Sequence, residues 1–568
     1  MDFAKIDLED HQKLARLIME KAAEMSFKKR GDFEKFRNSL IKEHRGVVFH
    51  NLYFVKAYND LVREGKIRPN LNLLKLVQKR AIRTMSGVAP VTVLTKPFPC
   101  PGRCVYCPTD VRMPKSYLPS QPAAQRAFRQ RFNPYTQVFV RLKALHITGH
   151  EVSKVELRVI GGTWSSYPKK YQTWFLKQCL IAMNEFHRQI SGGKTDRMQD
   201  IVEEQIVESS HGIDRVNTVI LRPLKAQKSW SAVVMENETA SVRCIGINIE
   251  TRPDFINENE IGRLRTLGVT KVEIGVQTTD DAVQRMTKRG HDLACVRRAT
   301  ALLKDAGFKL SYHMMPNLPG STVELDKKMI GQLFKNGDYQ PDYLKIYPCM
   351  VIPGTELSKS FRRGEYKPYD DKTLEDVLIE EMRSVPEWCR VDRVARDVPA
   401  ADIEAGSTTS NIRQILEKKL RGLGMPCRDI RAREVMADDV DPANVELVVR
   451  KYAASGGEEI FLSFEDVEND KLVALLRLRF PGKTFLNELR GAALVREIHV
   501  YGCQIAVGER QNGEKQHLGW GTRLMKEAER LARQTGYEKI AVISGIGTRQ
   551  YYKKLGYVLS GTYMVKNM

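Results

Sequence analysis

Three cysteines stand within eight residues in the stretch "CPGRCVYCP": Cys100, Cys104 and Cys107, spaced C-x3-C-x2-C. Thiolates take up soft metals, and the number of thiolates narrows the choice of metal. A structural zinc closes its shell with four Cys or His ligands, often arranged as two pairs. No His or Cys follows Cys107 before His146. A loop of Pro, Gly and Arg is also a poor setting for three buried structural thiols. An iron–sulfur cube usually takes four thiolates. With three, one iron stays open to chelate a small molecule, which is the reading that uses the missing ligand.

The elements that must position such a loop can be read from periodicity. From about residue 90 to 350, short apolar runs ("VTVLTK", "KVELRVIGG", "CIGINIET", "KVEIGVQ", "KLSYHMMP", "YLKIYPCMVI") alternate with amphipathic stretches such as "ENEIGRLRTLG" and "ACVRRATALLKDAG". The two amphipathic stretches end in Gly, as helices commonly do. Strand–helix alternation predicts an α/β fold with a parallel sheet or barrel. Polar residues close several of the strands: Gly161, Gly162 and Thr163 in "VIGGTW", Glu250 and Arg252 in "IETRPD", Gln277 in "EIGVQ", and His313 in "YHMMPNLPG". Barrel sites form at strand C-termini. His313 reads equally as a satisfied core histidine, and the Gly-Gly pair as a plain strand-end turn.

A second α/β pattern begins near residue 445 with "VELVVRKY", "EIFLSFED" and "KLVALLRLRF". The strand "REIHVYG" then precedes "QHLGWGTRLMKEAERLA", in which Gln516, Gly519, Trp520, Gly521 and Thr522 open a helix. Glycine amides at a helix N-terminus can cradle a pyrophosphate. The expected domains are a basic helical N-terminal region (1–80), a partial (β/α) barrel (81–365), a linker (366–440) and a smaller α/β domain (441–568).

The chain has 568 residues and ten irregularly spaced cysteines, unlike a small disulfide scaffold. Its start is charged throughout, unlike a signal peptide, and no apolar run reaches the roughly 20 residues of a membrane span. A protein of a reducing compartment, cytoplasmic and away from membranes, is expected. The formal charge is +22. Between Leu61 and Pro99 eight Lys/Arg face one acid, Glu64, and between Pro101 and Tyr135 six face Asp110. Tyr106, Tyr117, Phe128, Phe132 and Tyr135 interleave with the latter set. Phosphate neutralisation with base stacking needs these residue types, so a nucleic acid is the expected partner. Charge alone leaves RNA and DNA equal.

The cysteine spacing ahead of a run of strands, with an aromatic before the last cysteine, resembles the radical S-adenosylmethionine (SAM) enzymes. The C-terminal order, ending in "VISGIGTRQYYKKLGY", resembles the Gcn5-related acetyltransferase fold. Both halves together resemble the catalytic subunit of Elongator, a tRNA wobble-uridine modifier. "GVAPVTVLTKP", "CIGINIETRPD", "AGFKLSYHMMPNLPG", "VREIHVYG" and "AVISGIGTRQYYKKLGY" carry that resemblance across residues 80–568.

The resemblance implies a [4Fe–4S] cluster on Cys100, Cys104 and Cys107, with SAM on its open iron. It places Gly161, Gly162 and Thr163 at the SAM amino group, and Glu250, Arg252, Gln277 and His313 around the rest of SAM. It implies acetyl-CoA in the second domain. There the backbone of Glu497, Ile498, His499 and Val500 would pair with pantetheine, the helix opening from Gln516 to Thr522 would hold the pyrophosphate, and Tyr551 or Tyr552 would lie near the sulfur. Glu497 is a further candidate, as a general base. Lys154 matches a family lysine that contacts acetyl-CoA in the barrel. The implied reaction adds the acetyl methyl carbon to C5 of uridine 34 in a tRNA anticodon stem-loop, and hydrolysis then leaves 5-carboxymethyluridine. An electron donor is required. The compact three-residue gap between Cys100 and Cys104 suits a prokaryotic-type member that acts without other Elongator subunits.

Two other readings compete. One is a protein-lysine acetyltransferase with a structural radical-SAM domain. The other is a non-catalytic RNA-binding scaffold, which the presence of both cofactor motifs disfavours. Cys349, Cys389 and Cys427 form a second set, read either as a zinc site or as buried thiols like Cys179, Cys244, Cys295 and Cys503.

Overall fold

The structure is a computed structural model, and it describes residues 8–27, 29–44, 52–68, 70–77, 87–191, 228–435, 440–501 and 519–568. Seven strands form the first sheet: β1 (Ala89–Leu94), β2 (Lys154–Ile160), β3 (Arg243–Thr251), β4 (Lys271–Gln277), β5 (Lys309–Met314), β6 (Tyr343–Ile346) and β7 (Arg390–Val394). They lie in sequence order and every adjacent pair is parallel. Each strand therefore returns through helical crossovers that keep adding to one edge, the route that right-handed βαβ units take. The sheet is an open, partial barrel.

Alternation along β2 shows how the sheet is used. Val155, Leu157 and Val159 are buried against helices Pro134–Ile147 and Lys169–Ser191. Lys154, Glu156 and Arg158 alternate with them and take the other face, from which Arg158 lines the hollow. The hollow is charged rather than apolar. Arg158 donates to Glu156 at 2.7 Å, and Lys271 donates to Asp392 at 2.9 Å.

The segment 366–440, expected as a linker, is not one. It supplies helix Asp371–Arg383 and then β7, the last strand of the parallel sheet. The strand was hidden because "RVDRV" alternates charge with Val. Only Val391 and Val394 of it are buried, and the charged residues between them face the hollow or its rim.

Ahead of the sheet, α1 (Leu8–Ala23), α2 (Arg30–Glu43), α3 (Leu52–Arg63) and α4 (Leu71–Val77) pack on one another through Ala15, Ile18, Phe33, Phe54 and Leu61. Of the basic residues expected here, Lys79, Arg80 and Arg83 lie outside the described residues.

The second sheet holds β8 (Val445–Ala454), β9 (Gly457–Asp466), β10 (Lys471–Phe480), β11 (Ala492–Val500), β12 (Lys539–Val542), β13 (Val558–Ser560) and β14 (Tyr563–Asn567), in the order β13-β14-β12-β11-β10-β9-β8. Its two faces have different partners. Ala493 and Val495 pack under helix Trp520–Gln534, whereas Ala492, Leu494 and Tyr563 join the core of the first sheet. The two modules thus share a continuous core.

A buried ion network seals that join. Arg496 donates to Phe308 O at 2.7 Å and pairs with Asp342 and Glu459, while Arg479 pairs with Asp305 and Glu459. Arg477, Arg479 and Arg496 are fully buried. Gly545 lies so close to β3 that a Cβ would fall 2.0 Å from Ile245 O.

Candidate active site

The cysteine loop follows β1 and sits over the C-terminal edge of the first sheet. Its backbone is pinned on both sides: Val105 N donates to Thr287 O at 3.2 Å, and Leu357 N donates to Val105 O at 2.9 Å. Cys100, Cys104 and Cys107 are free thiols, each part-buried. Arg289 Nη1 donates to Cys104 Sγ at 3.2 Å while its Nη2 donates to Gly275 O at 2.7 Å. Burial opposes ionisation of Cys104, but the charge and hydrogen bond of Arg289, together with Tyr106 and Arg252, outweigh it and hold the thiol below its usual value. Cys107 is pushed up to about 11 by burial and by the neighbouring Cys104.

The turn after β2 meets this loop directly. Cys100 Sγ and Thr163 Oγ1 are 3.6 Å apart. Gly161 has φ +133° and a Cβ there would fall 2.0 Å from Thr95 Oγ1, so only glycine fits. The Tyr167 hydroxyl donates to Gly161 O at 3.0 Å and fixes the turn. Gly162 follows with φ +91°.

Arg252 comes up from the end of β3. Its Nε and Nη2 pair with Asp254 at 2.9 Å each, and its buried Nη1 has no partner. That nitrogen lies 2.4 Å from where a Cβ on Gly102 would stand, so the missing side chain at Gly102 lets the guanidinium reach the loop. Gln277 ends β4 with φ +76° and a buried, unpartnered Oε1.

Glu250 accepts from the Tyr117 hydroxyl at 2.9 Å. His313 Nε2 lies 2.7 Å from Glu273 Oε2, and Lys345 bonds the same carboxylate. Burial raises the Glu273 pKa, but Lys345 and His313 prevail and hold it well below the usual range. Glu250, Glu273 and His313 cluster tightly enough to suggest a metal, yet the Lys345 ammonium already sits among them, 3.8 Å from Glu250. The structure therefore brings together Cys100, Cys104, Cys107, Gly161, Gly162, Thr163, Glu250, Arg252, Gln277 and His313 at one sheet edge. They adjoin a cavity of about 1500 Å³ that Cys107, Glu250, Gln277 and His313 line. Arg289, Glu273 and Lys345 were missed in the sequence. The signal for Arg289 was its place in "KRGHD", directly after a short helix.

The second site lies across the molecule. β11 pairs with β12 only from Ala492 to Val495, so among the described residues Glu497, Ile498, His499 and Val500 have no strand partner on the β12 side. The cause is a β-bulge: Leu478 faces Val495 and Arg477 faces Glu497, leaving Arg496 as the extra residue. Helix Trp520–Gln534 begins over this opening, capped by Gly519 with φ +70°. A Cβ on Gly521 would stand 3.1 Å from Tyr551 Oη and 3.7 Å from both Ile498 Cδ1 and Val500 Cγ2. Trp520 is buried against Phe464, with ring centroids 4.5 Å apart. A splayed strand beside a glycine-opened helix leaves a wedge with unpaired backbone groups and free helix amides, which suits a pantetheine diphosphate. Gln516 lies outside the described residues.

Three expectations are corrected here. Tyr552 is 5% exposed and packed in the core, whereas Tyr551 is 39% exposed, so of the pair only Tyr551 opens onto the wedge. Glu497 is no general base. Arg477 Nε donates to it at 2.9 Å, Tyr343 donates to its other oxygen, and Lys309 lies 4.0 Å away. Burial raises its pKa, but these partners pull it down to about 2, far from the operating pH of a base. Finally, Cys349 packs with Val283, Leu318 and Val351, while Cys389 and Cys427 belong to the main core, so the structure does not gather them as a zinc site. Burial pushes the Cys349 thiol up to about 12 and that of Cys427 up to about 11.

Lys154 is the first residue of β2, paired in register with Arg243, at the sheet edge opposite the cysteines. That edge is where the second module docks: a Cβ on Gly547 would lie 2.5 Å from Arg243 Cβ. Burial first, and then Arg243, lowers the Lys154 pKa.

The chain is thus an enzyme that joins a radical-SAM half-barrel to an acetyltransferase module. The Radical SAM superfamily model matches residues 234–330, the Radical_SAM C-terminal domain 341–422 and the acetyltransferase (GNAT) family 430–557. A "tRNA uridine(34) acetyltransferase" of Methanocaldococcus infernus is 39% identical over 98% of this chain and 100% of its own length. The Homo sapiens "Elongator complex protein 3" is 39% identical over 87% of this chain and 86% of its own. The solved archaeal M. infernus Elp3 with an N-terminal deletion, also 39% identical, superposes with a TM-score of 0.69 over 85% of this chain and all of that one. The chain belongs to the Elongator complex protein 3 family.

That family implies a [4Fe–4S] cluster, SAM and acetyl-CoA. The residues fit them: three free thiols beside a guanidinium, a glycine turn and two unpartnered buried polar atoms, Arg252 Nη1 and Gln277 Oε1, on one side, and an open strand edge on the other. Among the described residues, no helix is long and apolar enough to cross a membrane.

Proposed function

We propose that this chain is a tRNA uridine-34 carboxymethyl synthase. The observation that carries the reading is the pairing of two sites on one half-barrel. A three-thiol loop sits at one mouth and an acetyl-donor wedge docks at the other, and the cavity beside the loop is rimmed by Arg126, Arg158, Arg396 and Arg431. The names of the archaeal relatives support the substrate.

Bound cluster and SAM would supply a 5'-deoxyadenosyl radical able to take a methyl hydrogen from the acetyl group. The chain's own residues do the rest. Cys100, Cys104 and Cys107 hold the cluster, with Arg289 neutralising thiolate charge. Gly161, Gly162, Thr163, Glu250, Arg252, Gln277 and His313 surround SAM. The Gly519–Thr522 helix start binds the CoA pyrophosphate, the open edge of Glu497 to Val500 pairs with pantetheine, and the Tyr551 hydroxyl lies near the sulfur. Lys154 contacts acetyl-CoA from the start of β2, at the acetyl-donor end. The arginine rim takes anticodon-loop phosphates, and splayed bases stack on neighbouring aromatics. The enzyme works with an electron donor and without further Elongator subunits.

Anaerobic turnover tests this. Reconstituted protein is given reductant, SAM, acetyl-CoA and a tRNA bearing uridine 34, and the digested tRNA is analysed by mass spectrometry. The expected product is 5-carboxymethyluridine, absent with Cys104→Ala. Lysine acetylation that persists in Cys104→Ala, with no modified tRNA from either protein, would overturn the reading in favour of a protein acetyltransferase.

A further inference from the structure

The bulge at Arg496 does more than splay β11. Before it, residues alternate regularly between the helix face and the barrel face. After it, both Arg496 and Glu497 point at the barrel, to Asp342 and Tyr343, while Ile498 and Val500 pack on the helix side. His499 therefore projects toward the barrel from the one stretch of β11 that is open to a ligand. A thioester lying in that opening has His499 on the side where its acetyl group must meet the RNA.

The His499 ring has an unengaged nitrogen. Its Nε2 is buried and has no hydrogen-bond partner among the described residues, and its ring packs against Tyr501 with centroids 4.3 Å apart. Every neighbouring charge is already paired. Glu497 is held by Arg477 and Tyr343, and Lys309 leans on Glu497. Arg390 is bonded to Glu434 and donates to the Tyr501 hydroxyl at 3.4 Å. Burial lowers the His499 pKa against the opposing pull of Glu497, which leaves the imidazole neutral at neutral pH with one acceptor nitrogen.

We propose that His499 is the general base that hydrolyses the CoA thioester after carbon transfer. This rests on the proposed tRNA reaction. Water gives a proton to Nε2 as its oxygen attacks the thioester carbonyl carbon. The C–S bond then breaks, and the proton passes from Nε2 to the leaving sulfur. Water and thioester become carboxylic acid and free CoA thiol, with no change of oxidation state.

The test compares the full-length wild type with His499→Gln, which fills similar space but takes no proton. Acetyl-CoA affinity is measured by calorimetry, and the tRNA is analysed intact and after digestion. His499→Gln is expected to bind acetyl-CoA as the wild type does, to release product about 100-fold more slowly, and to accumulate tRNA still linked to CoA through the thioester. His499→Gly is expected to regain release when imidazole is added, which a structural role would not produce. Wild-type product release by His499→Gln overturns the assignment. So does loss of product without the CoA-linked tRNA, or loss of acetyl-CoA binding. If wild type itself yields neither carboxymethyluridine nor linked tRNA, the tRNA reading fails and this assignment falls with it.

Discussion

Arg289 shows how one side chain can serve two loops. It is 185 residues from Cys104 in sequence, yet one guanidinium holds both the cluster loop and the end of β4. Arg289→Leu would leave the Gly275 carbonyl without its arginine donor and Cys104 without its cation. A loss of about 2–3 kcal/mol is expected, because a buried acceptor without a partner bears its full desolvation cost. Urea unfolding of the cluster-free protein measures it, and unchanged stability would show that the contact carries no weight. At the same scale, Tyr551 and Tyr552 separate cleanly. Neighbours on a short helix point in different directions, so one faces the wedge and the other fills the core.

Among the elements, the turn between β2 and its following helix is the most constrained. Gly161→Ala combines a forbidden φ with a clash against Thr95. It is expected to cost about 2 kcal/mol or more and to lower the melting temperature. Gly422→Ala is the control: it ends helix Ile412–Gly422 with nothing within 4 Å of a Cβ, and it should be neutral or slightly stabilising. Equal melting of the two variants would refute the close-packed turn. Strand β11 is the matching element in the second module. One inserted residue there both opens the ligand edge and turns Arg496 and Glu497 into the join.

Across the whole molecule, the two modules behave as one unit because their contact is buried and ionic. Glu497 belongs to that contact. Its pKa falls from 4.5 to about 2, so the stabilisation it gives is fully present above about pH 4.5 and is lost as pH falls through about 2. A shift of this size corresponds to about 3 kcal/mol. Glu497→Gln should therefore unfold more easily than wild type at neutral pH, with the gap narrowing at about pH 3.5. Denaturant melts at the two pH values check this, and a gap independent of pH would mean that Glu497 acts through packing alone.

The sequence by itself determined a great deal about this protein. The cysteine spacing, the strand–helix alternation and the glycine at the helix start depend on local geometry, so they could be read along the chain. So could the split into two α/β modules, because each has its own periodic pattern. Tertiary structure alone decided what the polar residues do. Glu497 became an ion-pair anchor only because Tyr343, Lys309 and Arg477 converge on it from other strands. Likewise β7 became a sheet strand because Asp392 and Arg393 face a charged hollow that no local pattern announces. Apolar periodicity records which side of an element is buried, whereas the pairing of charges depends on which distant segments the fold brings together.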